Sequence, residues 1–179
     1  NDRLWRMTRG AIQMTACCLV FHRQAATVTV ASAAHASPLR FRAGEAGSPK
    51  RGLKDVEALI SPKGVRLGEC AVARFEARDY PTRPGDLVLV YTDGLLDAAR
   101  PDGQKLGKRT LCAELHGRIA STPPEISAAL ASLLERHLDG GVPEDDVAWV
   151  VGKIEPEAPA PVVDGAQALT GQVPSGHTG

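Results

Sequence analysis

Two short acidic segments are the parts of this sequence best suited to chemistry. Asp93 closes an apolar run, Leu87 to Thr92, and is followed at once by Gly94. A carboxylate at the lip of a buried strand, with a glycine that lets the chain leave tightly, is a natural ligand for a hard divalent cation. It is also an ordinary place for an aspartate to cap a turn. The second segment is Pro143-Glu144-Asp145-Asp146, directly ahead of another apolar run from Val147 to Ile154. Consecutive acids repel one another unless water or a cation screens them; taken alone, these also read as an exposed acidic turn. The two segments gain weight together. If the two runs are antiparallel neighbours, the end of one lies beside the start of the other, and Asp93 and Asp145 face one pocket. Oxygen donors with no paired His or Cys favour Mg²⁺ or Mn²⁺ over Zn²⁺.

Other side chains carry less. His22, His116 and His137 stand singly, which reads as structural or solvated histidine. The basic group Arg40, Arg42, Lys50, Arg51 and Lys54 reads as a solvated loop, with an acidic or phosphorylated partner as the alternative. The four cysteines, Cys17, Cys18, Cys70 and Cys112, show no C-x-x-C spacing and read as reduced, mostly buried thiols of a cytosolic protein. No P-loop, Rossmann glycine set or nucleophile elbow is present.

The chain has 179 residues, which predicts one domain with at most a tail. Lys+Arg and Asp+Glu are 21 each, so the formal net charge is zero; this argues against a dedicated nucleic-acid binder and against a polybasic membrane patch. Aromatic residues are only 4%, so the core must come from Ala, Val, Leu and Ile. No apolar run approaches the roughly 18 residues of a membrane span, and no signal peptide is visible.

The elements that must position the acids follow from periodicity. Residues 1–12 read as the end of a helix entering a loop, and the start at Asn1 suggests a piece of something longer. A continuous apolar run over 14–22 predicts a strand covered on both faces. Alternation over 25–34 predicts its hairpin partner, half-buried through Val28 and Val30. Strands are further expected at 38–43, with Leu39 and Phe41 on one face, and at 55–61, 70–80 and 86–93, six in all as a meander; 44–54 reads as a loop. The second half turns helical. Residues 106–119 show one apolar face. The next helix has Thr122 as cap, Pro123 in first position and Glu125 to complete a capping box; Ile126, Leu130, Leu133, Leu134 and Leu138 form its stripe. A strand over Val147–Ile154 returns, giving an α+β sandwich over 1–154. Residues 155–179 read as a disordered Pro/Ala/Gly-rich tail.

On these residues the chain resembles a known family. The stretch from Gly85 through Asp93-Gly94 to Arg100, with Gly103 and Gly107, is similar to the signature of SpoIIE-type phosphatases, within the PPM or protein phosphatase 2C-like serine/threonine phosphatases. Ala33-Ala34-His35-Ala36-Ser37-Pro38-Leu39 is similar to that family's Ala-Gly-His-x-Pro-Pro-Leu segment. Asp145-Asp146-Val147 resembles its terminal Asp-Asp-x-Thr. The resemblance implies an α-β-β-α sandwich with two Mn²⁺ or Mg²⁺ ions between the sheets. It implies Asp93 and Asp145 as metal ligands, and Gly94, Asp146 and His35 as supports of the site. It further implies a metal-activated water that hydrolyses phosphoserine or phosphothreonine in a protein partner, such as an anti-sigma-factor antagonist. A cytoplasmic domain is expected, with a sensor module upstream that can tether it to a membrane.

The sequence departs from that pattern in places. Ala34 stands where the family has Gly, and Ala148 where it has Thr. The family's Asp-x-x-Gly-His-Gly motif, whose aspartate bridges both ions, occurs nowhere in the 179 residues. The expectation is therefore the C-terminal part of a phosphatase domain, inactive on its own. The alternative is a catalytically inactive phosphatase-like scaffold that binds a regulatory partner.

Overall fold

The computed structural model describes residues 1–44, 55–62 and 64–156. The chain runs through helix α1 (Asp2–Thr8), then strands β1 (Ala16–His22), β2 (Thr27–Ala33), β3 (Leu39–Phe41), β4 (Val56–Ala58), β5 (Ala77–Pro81) and β6 (Leu87–Tyr91). Helices α2 (Asp93–Asp97), α3 (Gly107–His116) and α4 (Pro123–Leu138) follow, and β7 (Trp149–Lys153) returns. The strands form two antiparallel sheets, ordered β1-β2-β5 and β4-β3-β6-β7.

Strand β6 shows why its sequence is apolar throughout. Successive side chains point to opposite faces. Leu87, Leu89 and Tyr91 join Leu111, Leu115, Ile126 and Leu130 of the helices in one core. Val88 points the other way, into a second core with Val28, Val30, Leu59 and Tyr80. One strand is thus the shared wall of a sheet–sheet and a sheet–helix interface, and each fully buried Leu or Val adds about 1.5–3 kcal/mol. Helix α4 starts as its sequence demands: the Thr122 backbone N–H and hydroxyl both donate to Glu125, and the capping box is complete. Its Ile126, Leu130, Leu133 and Leu138 are buried, and Asp139, left-handed at φ 48°, ends it.

Several expectations need correction. The six strands do not form a meander. β5 turns back to pair with β2, and β3 pairs with both β4 and β6, so the chain crosses between the sheets after β2, β4 and β5. Strand β1 is not covered on both faces: it is an edge strand, its Cys17 and Leu19 pack inward, while Cys18 is exposed and Val20 stays 47% exposed. Of the span expected at 70–80, only 77–81 forms a strand. Only Cys112 of the four cysteines is buried, though all are free thiols. Arg40, expected on a solvated loop, lies in β3 between Leu39 and Phe41 and is 2% exposed. Its alternation with two core residues turns it toward the other sheet, where it donates to the Pro81 carbonyl; it also pairs with Glu57, opposite it on the neighbouring strand β4. Arg42 of the same group pairs with Glu57 as well; Lys50, Arg51 and Lys54, and the tail from 157 on, lie outside the described residues. No described helix is long and apolar enough to cross a membrane.

Candidate metal site

The antiparallel pairing that would bring the two acidic segments together is present: Tyr91 opposes Trp149 at the end of the β6–β7 ladder. Past that pair the chains stay locked. The Thr92 backbone N–H donates to the Ala148 carbonyl (3.0 Å). The Thr92 hydroxyl donates to the Asp146 carbonyl (2.9 Å) and accepts from the Ala148 N–H (2.9 Å). Thr92 is therefore a clasp between the strand exit and the acidic turn. The sequence signal was available, since a hydroxyl stands directly before Asp93, but the sequence reading did not single it out.

Gly94 completes the junction. A Cβ at this position would lie 2.6 Å from the Asp146 carbonyl oxygen and 3.3 Å from that of Asp145. Only a residue without a side chain lets the first turn of α2 sit this close to the acidic backbone. Gly94→Ala is expected to cost about 1–3 kcal/mol, the range of overpacking, because the obstacle is backbone and must shift. An urea melt reads this directly; a variant as stable as the parent would refute the close approach.

Asp93 is the first residue of α2, not simply a turn cap, and its carboxylate is exposed, with no hydrogen-bond partner among the described residues. Asp145 is also exposed, and one of its carboxylate oxygens accepts from the Asp146 N–H (2.8 Å). Tyr91, two residues before Asp93, points into the helix-side core, and burial pushes its phenol up from the ordinary value, with Cys112 adding to the effect. It stays neutral and away from the acidic rim.

His35 reaches the same end of the sheet by another route. β3 begins at Leu39, opposite Leu89, so the segment before Leu39 runs past the end from which β6 leaves toward Asp93. The His35 Nδ1 lies 3.2 Å from the Thr15 hydroxyl, and its backbone N–H donates to the Ser32 hydroxyl (3.1 Å). Among the described residues no hydrogen bond or ion pair joins it to Asp93 or Asp145. Ala34 just before it adopts φ 55°, a left-handed conformation costing an L-residue about 1–2 kcal/mol. That is a physical reason for glycine at this place. Ala34→Gly is expected to stabilise the fold by up to about 1 kcal/mol, the strain relieved less the chain entropy glycine brings. A lower denaturation midpoint would show that the alanine is not strained.

The donor set suits Mg²⁺ or Mn²⁺ in kind, being carboxylate oxygen. It is short in number: among the described residues no group of three or more His, Cys, Asp or Glu side chains stands together to hold a metal.

The sequence profile of stage II sporulation protein E (SpoIIE) matches residues 1–155. No curated protein sequence matches the chain. Among solved structures, the phosphatase domain of SpoIIE from Bacillus subtilis, presoaked with manganese, superposes with a TM-score of 0.58 at 18% identity, covering 82% of this chain and 59% of that one. A structure of the RsbU and RsbW domains of a Mycobacterium tuberculosis protein gives 0.62 at 22% identity, covering 88% and 41%. The catalytic domain of the serine threonine protein phosphatase PstP, in complex with two manganese ions, gives 0.59 at 16% identity, covering 87% and 66%. These likenesses establish a PP2C-type phosphatase fold for the two-sheet sandwich, and the chain spans about three-fifths of the first of these structures.

Proposed function

Because the chain belongs to the SpoIIE family, matched over residues 1–155, we propose that the protein carrying it is a metal-dependent serine/threonine protein phosphatase, with Asp93 and Asp145 among its metal ligands. The observation that carries this reading is the Thr92–Gly94 junction, which holds the exit of β6 against the backbone of Asp145 and Asp146. The β6–β7 ladder brings the two exposed acidic segments side by side, and this junction fastens them at close range.

In this reading Asp93 and Asp145 hold the metal, which when bound lowers the pKa of a water and polarises the phosphoryl oxygens. The chain's own residues supply the positioning. Thr92 fixes the acidic turn, and Gly94 leaves room for it. The Asp146 N–H holds the Asp145 carboxylate in one orientation. His35 braces the neighbouring connection through Thr15 and Ser32. The remaining ligands would come from the Asp-x-x-Gly-His-Gly segment the family carries.

The substrate class is a phosphoserine or phosphothreonine protein. The likeness to a chain with RsbU and RsbW domains supports searching among phosphorylated antagonists of anti-sigma factors, with a sensor module upstream and a cytoplasmic site of action. The test is hydrolysis of p-nitrophenyl phosphate and of a phosphoserine protein by the full-length protein with Mn²⁺. Turnover that EDTA abolishes is expected; no turnover with Mn²⁺, nor with Mg²⁺ in its place, would overturn the assignment. A second reading, an inactive scaffold that binds a regulatory partner, is favoured by one observation: the described residues bring no third ligand to the two acids.

A further inference from the structure

Strand β7 is tied to helix α4 and its approach at both ends. At the start of β7, the Trp149 indole N–H donates to the Ser127 hydroxyl (2.9 Å) in a half-buried contact. At its finish, the Lys153 ammonium donates to the Ala120 and Ser121 carbonyls (3.1 and 3.0 Å), just before the Thr122 cap of α4. The helix therefore runs antiparallel along β7, from the Lys153 end to the Trp149 end. From Ser127 to Leu138 it continues for about 16 Å. The chain then comes back to Trp149 through Gly140, Gly141 and the acidic turn.

That return connection has little of its own to fix its shape. Residues 142–148 belong to no helix or strand. Among the described residues, the hydrogen bonds that hold them are those to Thr92 and the one from the Asp146 N–H to the Asp145 carboxylate. The turn is thus held from two sides, by Thr92 at the end of β6 and, through Trp149, by Ser127 on α4. A phenyl ring at 149 would fill much of the space the indole fills. What the indole adds is an N–H with a direction, whereas apolar contact is non-directional.

We propose that Trp149 and Ser127 are positioning residues for Asp145: their hydrogen bond sets the angle at which the acidic turn enters β7, and so where the Asp145 carboxylate stands toward a bound cation. The inference rests on the metal reading of Asp93 and Asp145, and it adds helix α4 to what determines metal affinity.

The test is calorimetric titration of the full-length protein with Mn²⁺, beside a urea melt of each variant without metal. Ser127→Ala and Trp149→Phe should each weaken Mn²⁺ binding about three- to tenfold, one hydrogen bond's worth. The double variant should lose no more than one of them, since both remove the same bond. Ser127→Thr keeps the hydroxyl and should keep the parent's constant. Turnover of p-nitrophenyl phosphate by Ser127→Ala should fall at limiting Mn²⁺ and recover at saturating Mn²⁺. A contact that only stabilises the fold would lower the melt and leave the Mn²⁺ constant of the folded protein unchanged. That result overturns the proposal while the metal reading stands, as does a Ser127→Thr variant that binds as weakly as Ser127→Ala. Should Trp149→Phe not fold, the two Ser127 variants carry the test. A parent that takes up no Mn²⁺ removes the metal reading, and the proposal with it.

Discussion

Asp93→Asn is expected to cut Mn²⁺-dependent phosphoester hydrolysis by the full-length protein about 100-fold or more, the scale on which loss of one charge-stabilising group acts. The substitution keeps size and shape and removes only the charge. Asp93 is exposed and its carboxylate has no partner among the described residues, so stability should stay within about 0.5 kcal/mol of the parent. Activity and stability thus separate, which a purely structural aspartate would not allow. Asp145→Asn should lose a similar amount. The double variant should be little worse than either single one, because ligands of one metal act as a unit. Full activity in Asp93→Asn would remove Asp93 from the site.

The second large effect lies at the interface between the sheets. Arg40 is buried, and its charge is balanced by Glu57, which also pairs with Arg42 at 2.8 Å. Removing one partner of such a pair strands the other charge; Glu57→Gln is expected to cost about 3 kcal/mol at neutral pH, the low end for a buried pair, since Glu57 is itself about one-third exposed. The pH dependence has a definite sign. Burial acts to raise the Glu57 carboxyl, but hydrogen bonds from Arg42 and Arg40 outweigh it, and the group lies below its ordinary value. Its contribution is therefore complete above the ordinary carboxyl value of about 4.3 and is lost as pH falls through the lower folded value. Urea melts at pH 7 and from pH 5 to 3 check both points: the parent should lose stability in the acid range that Glu57→Gln does not lose. Equal midpoints at pH 7 would contradict the account of Arg40.

The parts of the fold that were legible in the sequence are those set by local chemistry. The α4 capping box needs only Thr122, Pro123 and Glu125, and the helix forms where they stand. The apolar runs before Asp93 and after Asp146 gave the β6–β7 pair, and with it the meeting of the acidic segments. What stayed hidden depends on partners distant in the chain. Alternation fixes which side chains share a face but not which strand lies alongside, so periodicity gave a meander, while the two-sheet sandwich came from the family resemblance. Arg40 reads as solvated when grouped with Arg42, Lys50, Arg51 and Lys54; its counter-ion is 17 residues away. β1 reads as doubly covered because it is apolar on both faces, yet only its Cys17 and Leu19 face packs on the core, and Cys18 and Val20 on the other face stay open. Val150 of the other sheet's edge is likewise 67% exposed. Ala34 shows the reverse case: the departure from glycine was visible in the sequence, and its left-handed backbone gives that departure a physical cost.

The central claim is that Asp93 and Asp145 hold a divalent cation, and calorimetric titration of the full-length protein with Mn²⁺ tests it most directly. The account predicts saturable Mn²⁺ binding by the parent and its loss, in whole or for one ion, in both Asp93→Asn and Asp145→Asn, with all three proteins equally folded. A parent that takes up no Mn²⁺, or an Asp93→Asn variant that binds it as the parent does, would contradict the claim and leave the scaffold reading in its place.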